Sequence, residues 1–314
     1  YQGRLTMHPK EDAIYLISYP RSGSTWFRYC FEFITKRKSE PPRNENKTWT
    51  EESGASYPEL LFHTHKASDE EYNFHPEAKR NIILLLRNYK EALFSNMINE
   101  FERLEKSSNW KQVETPWASG VEDSVSHYLI PGMPTSRYPQ SPRIKKMIAQ
   151  HLFETDDMRN KVELMLRYKV SWHHQFLFHV GQYQSLVELY EKNIVYSPST
   201  SHLIRYEDLK QDLSSVLLNL IDYIDSLEID GILSKDEMRE NLNELVANID
   251  HHKAVCLQKY KKTGNLALSY DKGLTYYSSL HAKNFLHKID NLLVKSFGPK
   301  LYKKYLMRYS EGDE

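Results

Sequence analysis

The sequence predicts an α/β fold in a single domain, with a central parallel sheet flanked by helices on both faces. Three observations carry this. Short, nearly unbroken apolar runs at 13–18 and 82–86 are bounded by turns and read as strands buried on both sides. Helical patterns follow those runs, so strand and helix alternate along the chain. A chain of 314 residues that is 40% hydrophobic is long and apolar enough to enclose one full core.

Taken in order, residues 13–18 form the first strand. Residues 26–37 form a helix with Trp26, Tyr29, Cys30, Phe33 and Ile34 on one stripe. Residues 38–58 are polar, hold Pro41, Pro42 and Gly54, and read as loop. A second short strand runs from Leu60 to His65. The run Ile82 to Leu86 is the clearest buried strand, and a helix follows from Tyr89 to about Leu104. Residues 112–143 hold Pro116, Pro131, Pro134, Pro139, Pro142 and two glycines. A loop of that length inside a compact domain is a lid, a binding loop or disordered. Helical patterns resume over 144–192, a strand spans 202–206, and helices follow at 209–226 and 235–249. The stretch 257–280 reads as irregular, and a final helix covers 281–308. No internal repeat or heptad array interrupts this order.

Composition narrows the partners. Lys plus Arg (42) equals Asp plus Glu (42), so no global field draws the chain to nucleic acid or a membrane surface. Any anion site must be local. Two cysteines, Cys30 and Cys256, build no disulfide framework, which fits a reducing compartment and a cytoplasmic location. No apolar stretch approaches the ~20 residues of a membrane span, and no signal peptide opens the chain. Residues 1–6, ahead of Met7, read as a cloning scar. That leaves room for an anchor removed upstream, and with it a Golgi-lumenal setting.

The chemistry starts at Ile14-Tyr-Leu-Ile-Ser18-Tyr-Pro-Arg-Ser-Gly23-Ser-Thr-Trp26. An apolar strand ends, a turn carrying Pro20 and Gly23 follows, and Thr25 opens an amphipathic helix. Free backbone N–H groups in the helix's first turn, together with its dipole, favour an anion there. Arg21 adds a planar fork of donors suited to phosphate or sulfate. The nucleoside-triphosphate version of such a loop needs Gly-x-x-x-x-Gly-Lys-Ser/Thr, and this one has a single glycine and no lysine. An ordinary strand-to-helix turn is the bland alternative.

Two further clusters lie downstream. Arg87 stands at the carboxyl end of the 82–86 strand, where ligands bind in open α/β sheets, with Ser95 about two helical turns beyond. His63 and His65 sit two residues apart at a strand end, so both imidazoles face the same way. By spacing alone that pair suits a metal, although no third ligand stands at motif distance, or one core and one surface histidine.

Tyr19-Pro-Arg-Ser-Gly-Ser-Thr-Trp26 resembles the 5′-phosphosulfate loop of the sulfotransferase family, with Arg21 for the usual Lys and Ser24 for the usual Thr. The family uses 3′-phosphoadenosine 5′-phosphosulfate (PAPS) as co-substrate, releases adenosine 3′,5′-bisphosphate (PAP), and needs no metal. Its fold is the nucleotide-kinase-like P-loop sheet. The resemblance extends to Arg87-Asn88-x-Lys90-Glu91-x-x-x-Ser95, similar to the 3′-phosphate motif with Glu for Asp. It also covers His63-Thr64-His65, similar to Lys-Thr-His with His65 as general base, and Tyr206-Glu-Asp-Leu, where the Tyr lies near the adenine.

The resemblance therefore implies catalytic roles for His65 and Arg21. It implies nucleotide contacts by Arg21, Ser22, Gly23, Ser24, Thr25, Trp26, Arg87, Ser95, Tyr206, Lys272 and Gly273. Trp26 matches the family Trp that stacks on the adenine, and would serve nearly as well as plain core. Lys272-Gly273 is a partial match, since Asp271 replaces an Arg, and Lys253, Lys259, Lys261 or Lys262 could substitute. Ser171-Trp172 is similar to the helix beside the family's acceptor pocket, and Trp172 is as good as core.

The expected protein is one sulfotransferase domain over 7–308, with 100–170 as acceptor-site or lid region. It moves a sulfuryl group from PAPS to a hydroxyl or amine of a small-molecule acceptor. A carbohydrate acceptor is the alternative, which the clusters Arg143, Lys145, Lys146 and Arg159, Lys161 would suit unless they are solvated faces. A kinase using a related loop would need a Walker-type lysine, and a nucleotide-binding module without catalysis is the reading from another class. Oligomeric state is left open.

Overall fold

The computed structural model describes residues 12–40, 50–65, 80–89, 91–92, 172–262 and 280–309. In chain order the elements are β1 (Ile14–Ser18), α1 (Ser24–Thr35), β2 (Arg37–Glu40), α2 (Thr50–Ser53), β3 (Tyr57–Thr64) and β4 (Asn81–Leu86). Then come α3 (Trp172–Tyr196), a 3₁₀ turn (Pro198–Thr200), β5 (Ser201–Arg205), α4 (Tyr206–Gln211), α5 (Leu213–Ser226), α6 (Lys235–Ala247), α7 (Ile249–Lys262), α8 (Leu280–Tyr305) and a closing 3₁₀ turn (Met307–Tyr309). No described helix is long and apolar enough to cross a membrane.

All four strand pairings are parallel, in the order β2-β3-β1-β4-β5. β1 is buried along its whole length and β4 over all but its first residue, as two-sided coverage by helices requires. From β1 the chain runs through α1 toward the β2 edge, whereas from β4 it runs toward β5. The connections thus diverge between neighbours β1 and β4, and the region beyond the carboxyl ends at such a point is the usual ligand position of an open α/β sheet.

The chain divides into two compact units, residues 1–92 with 182–268 and residues 93–181 with 269–314. The first holds the sheet. There α6 packs against α1, α5 and α7. In the second unit, α8 breaks at Gly298 (φ 70°, ψ 159°), and Pro299 starts the following helical turn, where its missing N–H costs nothing.

Four expectations are corrected. The first helix begins at Ser24 and ends at Thr35, closed by Lys36 in the left-handed region (φ 53°). The supposed loop 38–58 contains the edge strand β2 and the short α2. β2 reads Arg-Lys-Ser-Glu, and what it buries is polar. Ser39 is 2% exposed, its N–H and hydroxyl both donate to Glu32, and Arg28 Nε donates to its Oγ at 2.9 Å. Ser53 Oγ donates to the second Glu32 oxygen at 2.9 Å. Burial pushes the Glu32 carboxyl above the usual range, opposed by those hydrogen bonds and by the Arg28 charge. The helix 209–226 is two helices: Asp212 leaves helical backbone and caps α5, accepting from Ser215 N at 3.0 Å. The stretch expected to be irregular from 257 is helical to Lys262; α7 carries no clean apolar stripe by which a sequence pattern would have shown it.

β5 carries a half-buried titratable group. His202 stacks on Tyr223 of α5 (ring centroids 4.8 Å, planes 17°), and burial pushes its pKa down to about 4. In the unfolded chain the ring takes a proton near pH 6.5, which the native state refuses until about pH 4. Stability contributed by this site is therefore present above about pH 6.5 and lost as pH falls toward 4, on the order of 3 kcal/mol in all. His202→Phe, which keeps the stacking, should flatten the pH dependence of the urea midpoint between pH 6.5 and 4.

Candidate functional site

Four strand ends build the site. The loop from β1 to α1 turns tightly, with Ser22 N–H donating to the Tyr19 carbonyl at 3.2 Å. Arg21 (φ 68°) and Gly23 (φ 86°) both take left-handed backbone. For Arg21 that conformation costs on the order of 1–3 kcal/mol, which the surroundings must impose. At Gly23 a side chain is excluded twice over, since a Cβ would lie 2.2 Å from Tyr206 Cδ2 and 2.3 Å from Cε2. The Tyr206 ring, at the start of α4 beyond β5, rests directly on the loop.

Arg87 ties the same loop to β4. Its side chain is only 3% exposed, and Nη1 donates to the Arg21 carbonyl at 2.8 Å. Nη2 and Nε donate to Glu91 Oε2 at 2.7 and 3.1 Å, and the guanidinium lies 5.0 Å from the Tyr206 ring centroid. The Arg87 carbonyl accepts from Tyr183 Oη at 2.9 Å, and Asn88 N–H donates to Glu207 Oε1 at 2.7 Å. The ends of β1, β4 and β5 are laced into one platform.

β3 brings the histidines. The register Leu16↔His63 and Ile17↔Thr64 places Ser18, His63 and His65 on one sheet face. His65 Nδ1 lies 2.8 Å from the Ser18 carbonyl. A carbonyl only accepts, so in the neutral ring Nδ1 carries the proton and Nε2 the lone pair. His63 is fully buried and its Nε2 shares a 2.9 Å hydrogen bond with Ser18 Oγ. Burial, then the charges of His65 and Arg28, hold His63 well below the ordinary histidine value. The two rings meet edge to face, with centroids 4.5 Å apart and planes at 81°. Among the described residues no group of three or more His, Cys, Asp or Glu could hold a metal.

Of the expected site residues, Arg21, Ser22, Gly23, Ser24 and Thr25 lie in the one loop, and Arg87, Tyr206 and His65 gather around it. Trp26 is half-buried and stacks along α1 on Tyr29 (5.7 Å, 12°). Ser95, Lys90, Lys272, Gly273 and the region 100–170 lie outside the described residues, and Lys253 is exposed on α7. The contacts of Ser18, Tyr183, Glu91 and Glu207 were not anticipated, although Glu91 and Glu207 stand inside the motifs read from the sequence. Glu91 had a signal, four residues after an arginine at a helix start. Ser18 had a weaker one, a lone hydroxyl closing an apolar strand.

The cradle fits an anion. Ser22 Oγ is buried without a hydrogen-bond partner, an orphan donor inside a loop that also carries an arginine. Gly23→Ala should lower Tm by several degrees and abolish anion binding. Adding Tyr206→Ala should recover part of the Tm by removing the clash. No recovery in thermal denaturation would mean that the ring contact is not what excludes a side chain.

The family profile described as "Sulfotransferase domain" matches residues 11–266. Among solved structures, mouse sulfotransferase SULT7A1 complexed with PAP aligns over 95% of this chain and 90% of its own, at 16% sequence identity and a TM-score of 0.46. No curated protein matches.

Proposed function

The chain belongs to the sulfotransferase domain family, and on that premise we propose that it moves a sulfuryl group from PAPS to a hydroxyl or amine of a small-molecule acceptor. The observation that carries the reading is the meeting of an anion cradle and an oriented base. Ser18 ends the strand that leads into the loop, and its carbonyl fixes His65 with the lone pair on Nε2.

PAPS brings about four negative charges at neutral pH. Arg21 and the backbone of Ser22, Gly23, Ser24 and Thr25 hold the phosphosulfate end, and Ser22 Oγ gains a partner there. Arg87 and Ser95 take the 3′-phosphate, joined by Lys272-Gly273, while Trp26 stacks on the adenine and Tyr206 lies near it. A single domain over 7–308, with 100–170 forming the acceptor pocket, completes the proposal. Cys30 and Cys256, both buried and not joined in a disulfide, support a reducing, cytoplasmic setting.

The acceptor oxygen or nitrogen attacks sulfur in line. A new bond to sulfur forms as the bond from sulfur to the bridging oxygen breaks, and that electron pair stays on the departing PAP. The acceptor proton passes to His65 Nε2. An alcohol is a poor nucleophile until its proton is accepted, and such help contributes ~10²–10⁴-fold. Arg21 offsets the charge growing on the bridging oxygen.

Incubation with ³⁵S-labelled PAPS and a panel of phenols, sterols, amines and sugars should label one acceptor class. A chain that binds PAP yet labels none of them would instead be a nucleotide-binding module. His65→Ala should cut turnover by about two orders of magnitude or more while PAP binding by calorimetry persists. If His63→Ala does so instead, the two histidines exchange roles. Arg21→Lys should keep much of the activity and Arg21→Ala lose most of it, because a fixed positive charge rather than a donated proton is required.

A further inference from the structure

A base works only if its lone pair is held on the line of the proton it takes. An imidazole on a strand end is free to swing about two side-chain torsions, and a displacement of about 1 Å can cost ~10²-fold in rate. His65 is the last described residue after β3, and the Ser18 carbonyl fixes one side of its ring through Nδ1. One hydrogen bond does not by itself fix the plane of a ring, so rotation about it is limited by neighbouring contacts.

Two neighbours restrict that rotation. The His63 ring stands at 81° to His65 with centroids 4.5 Å apart, an edge-to-face contact that tolerates little turning. His63 is itself 0% exposed, so packing confines it, and its one hydrogen bond is the 2.9 Å contact with Ser18 Oγ. The same hydroxyl lies 3.5 Å from His65 Nδ1. Ser18 thus touches both rings, one through its side chain and the other through its main chain.

We propose that Ser18 and His63 are positioning residues for His65: the serine hydroxyl orients the His63 ring, and that ring holds the plane of the base. The proposal rests on the reading of His65 as the general base. It accounts for a second imidazole where the family motif has lysine. A lysine would set a full charge beside the imidazolium that forms as the acceptor loses its proton. A neutral ring edge does not oppose that charge. Burial, the neighbouring His65 and the Arg28 guanidinium beneath all keep His63 in this neutral form. The described charged and titratable groups acting on it are those two, from the end of β3 and from α1.

The test uses the full chain with ¹⁵N-labelled histidine and the acceptor class found with labelled PAPS. In the wild type, long-range ¹H–¹⁵N spectra should show His65 with a protonated Nδ1 and a bare Nε2. Ser18→Ala should lower turnover about ten- to a hundredfold and mix the His65 tautomers. PAP affinity should stay within about twofold, and Ser18→Thr should restore both the spectrum and the rate. His63→Leu should mimic Ser18→Ala, while His63→Phe, which retains a ring edge, should lose less; this pair carries the test if Ser18→Ala does not fold. In a His65→Ala background Ser18→Ala should cost nothing further. Turnover within about threefold of wild type in both Ser18→Ala and His63→Leu would overturn the proposal. So would equal losses of PAP affinity and turnover, or a further loss without His65. Wild-type turnover in His65→Ala is a separate result, and it would remove the base assignment itself.

Discussion

The site depends on one contact, the Arg87 guanidinium against the carbonyl of Arg21. Arg21 sits in left-handed backbone that a non-glycine residue adopts only under constraint. The constraint comes from two directions: Arg87 holds the carbonyl, and Tyr206 lies across the adjacent glycine. Arg87 is in turn aligned by Glu91 and stacked on the same tyrosine. A charge-assisted hydrogen bond in a nearly water-free position is stronger than its exposed equivalent. The loop is thus held by contacts within the protein, and donors fixed in that way are what anion binding without reorganisation requires.

Polar burial recurs through the first unit. Arg28, Glu32, Ser39 and Ser53 knit α1 to the edge strand and to α2, and Tyr29 Oη shares a 2.6 Å hydrogen bond with His252 Nδ1, joining α1 to α7. Breaking one member of a buried charged set leaves the others uncompensated, typically at 3–5 kcal/mol. Such sets specify which surfaces meet. α1, which starts at the cradle and carries Arg28, Tyr29 and Glu32 inward, is thereby held against several neighbours at once.

Where a strand and its turn lie in neighbouring residues, their placement was legible from the sequence alone. Arg21 and Gly23 lie in one short run, Arg87 ends an unmistakable apolar strand, and β1 and β4 declare themselves by hydrophobicity. Tyr206 and His65 were legible through likeness to a known motif rather than through any pattern of their own. β2 was not legible, because its buried face is a serine satisfied by residues of α1. α7 escaped for want of an apolar stripe. The part played by Ser18 was out of reach, since it rests on a register between strands some 45 residues apart. Contacts that link distant stretches through one hydroxyl leave no periodic trace.

The parallel register has a bearing on how this protein can vary. Because side chains alternate across the sheet, His63 and His65 face Ser18 only while the count of residues along β3 keeps its parity with β1. A single residue gained or lost inside the strand would turn both imidazoles to the opposite layer without changing any site residue's identity. Two would return them to the correct layer, one step out of line. Point substitution can therefore explore this centre gradually, whereas a change of length within β3 switches it off in one event.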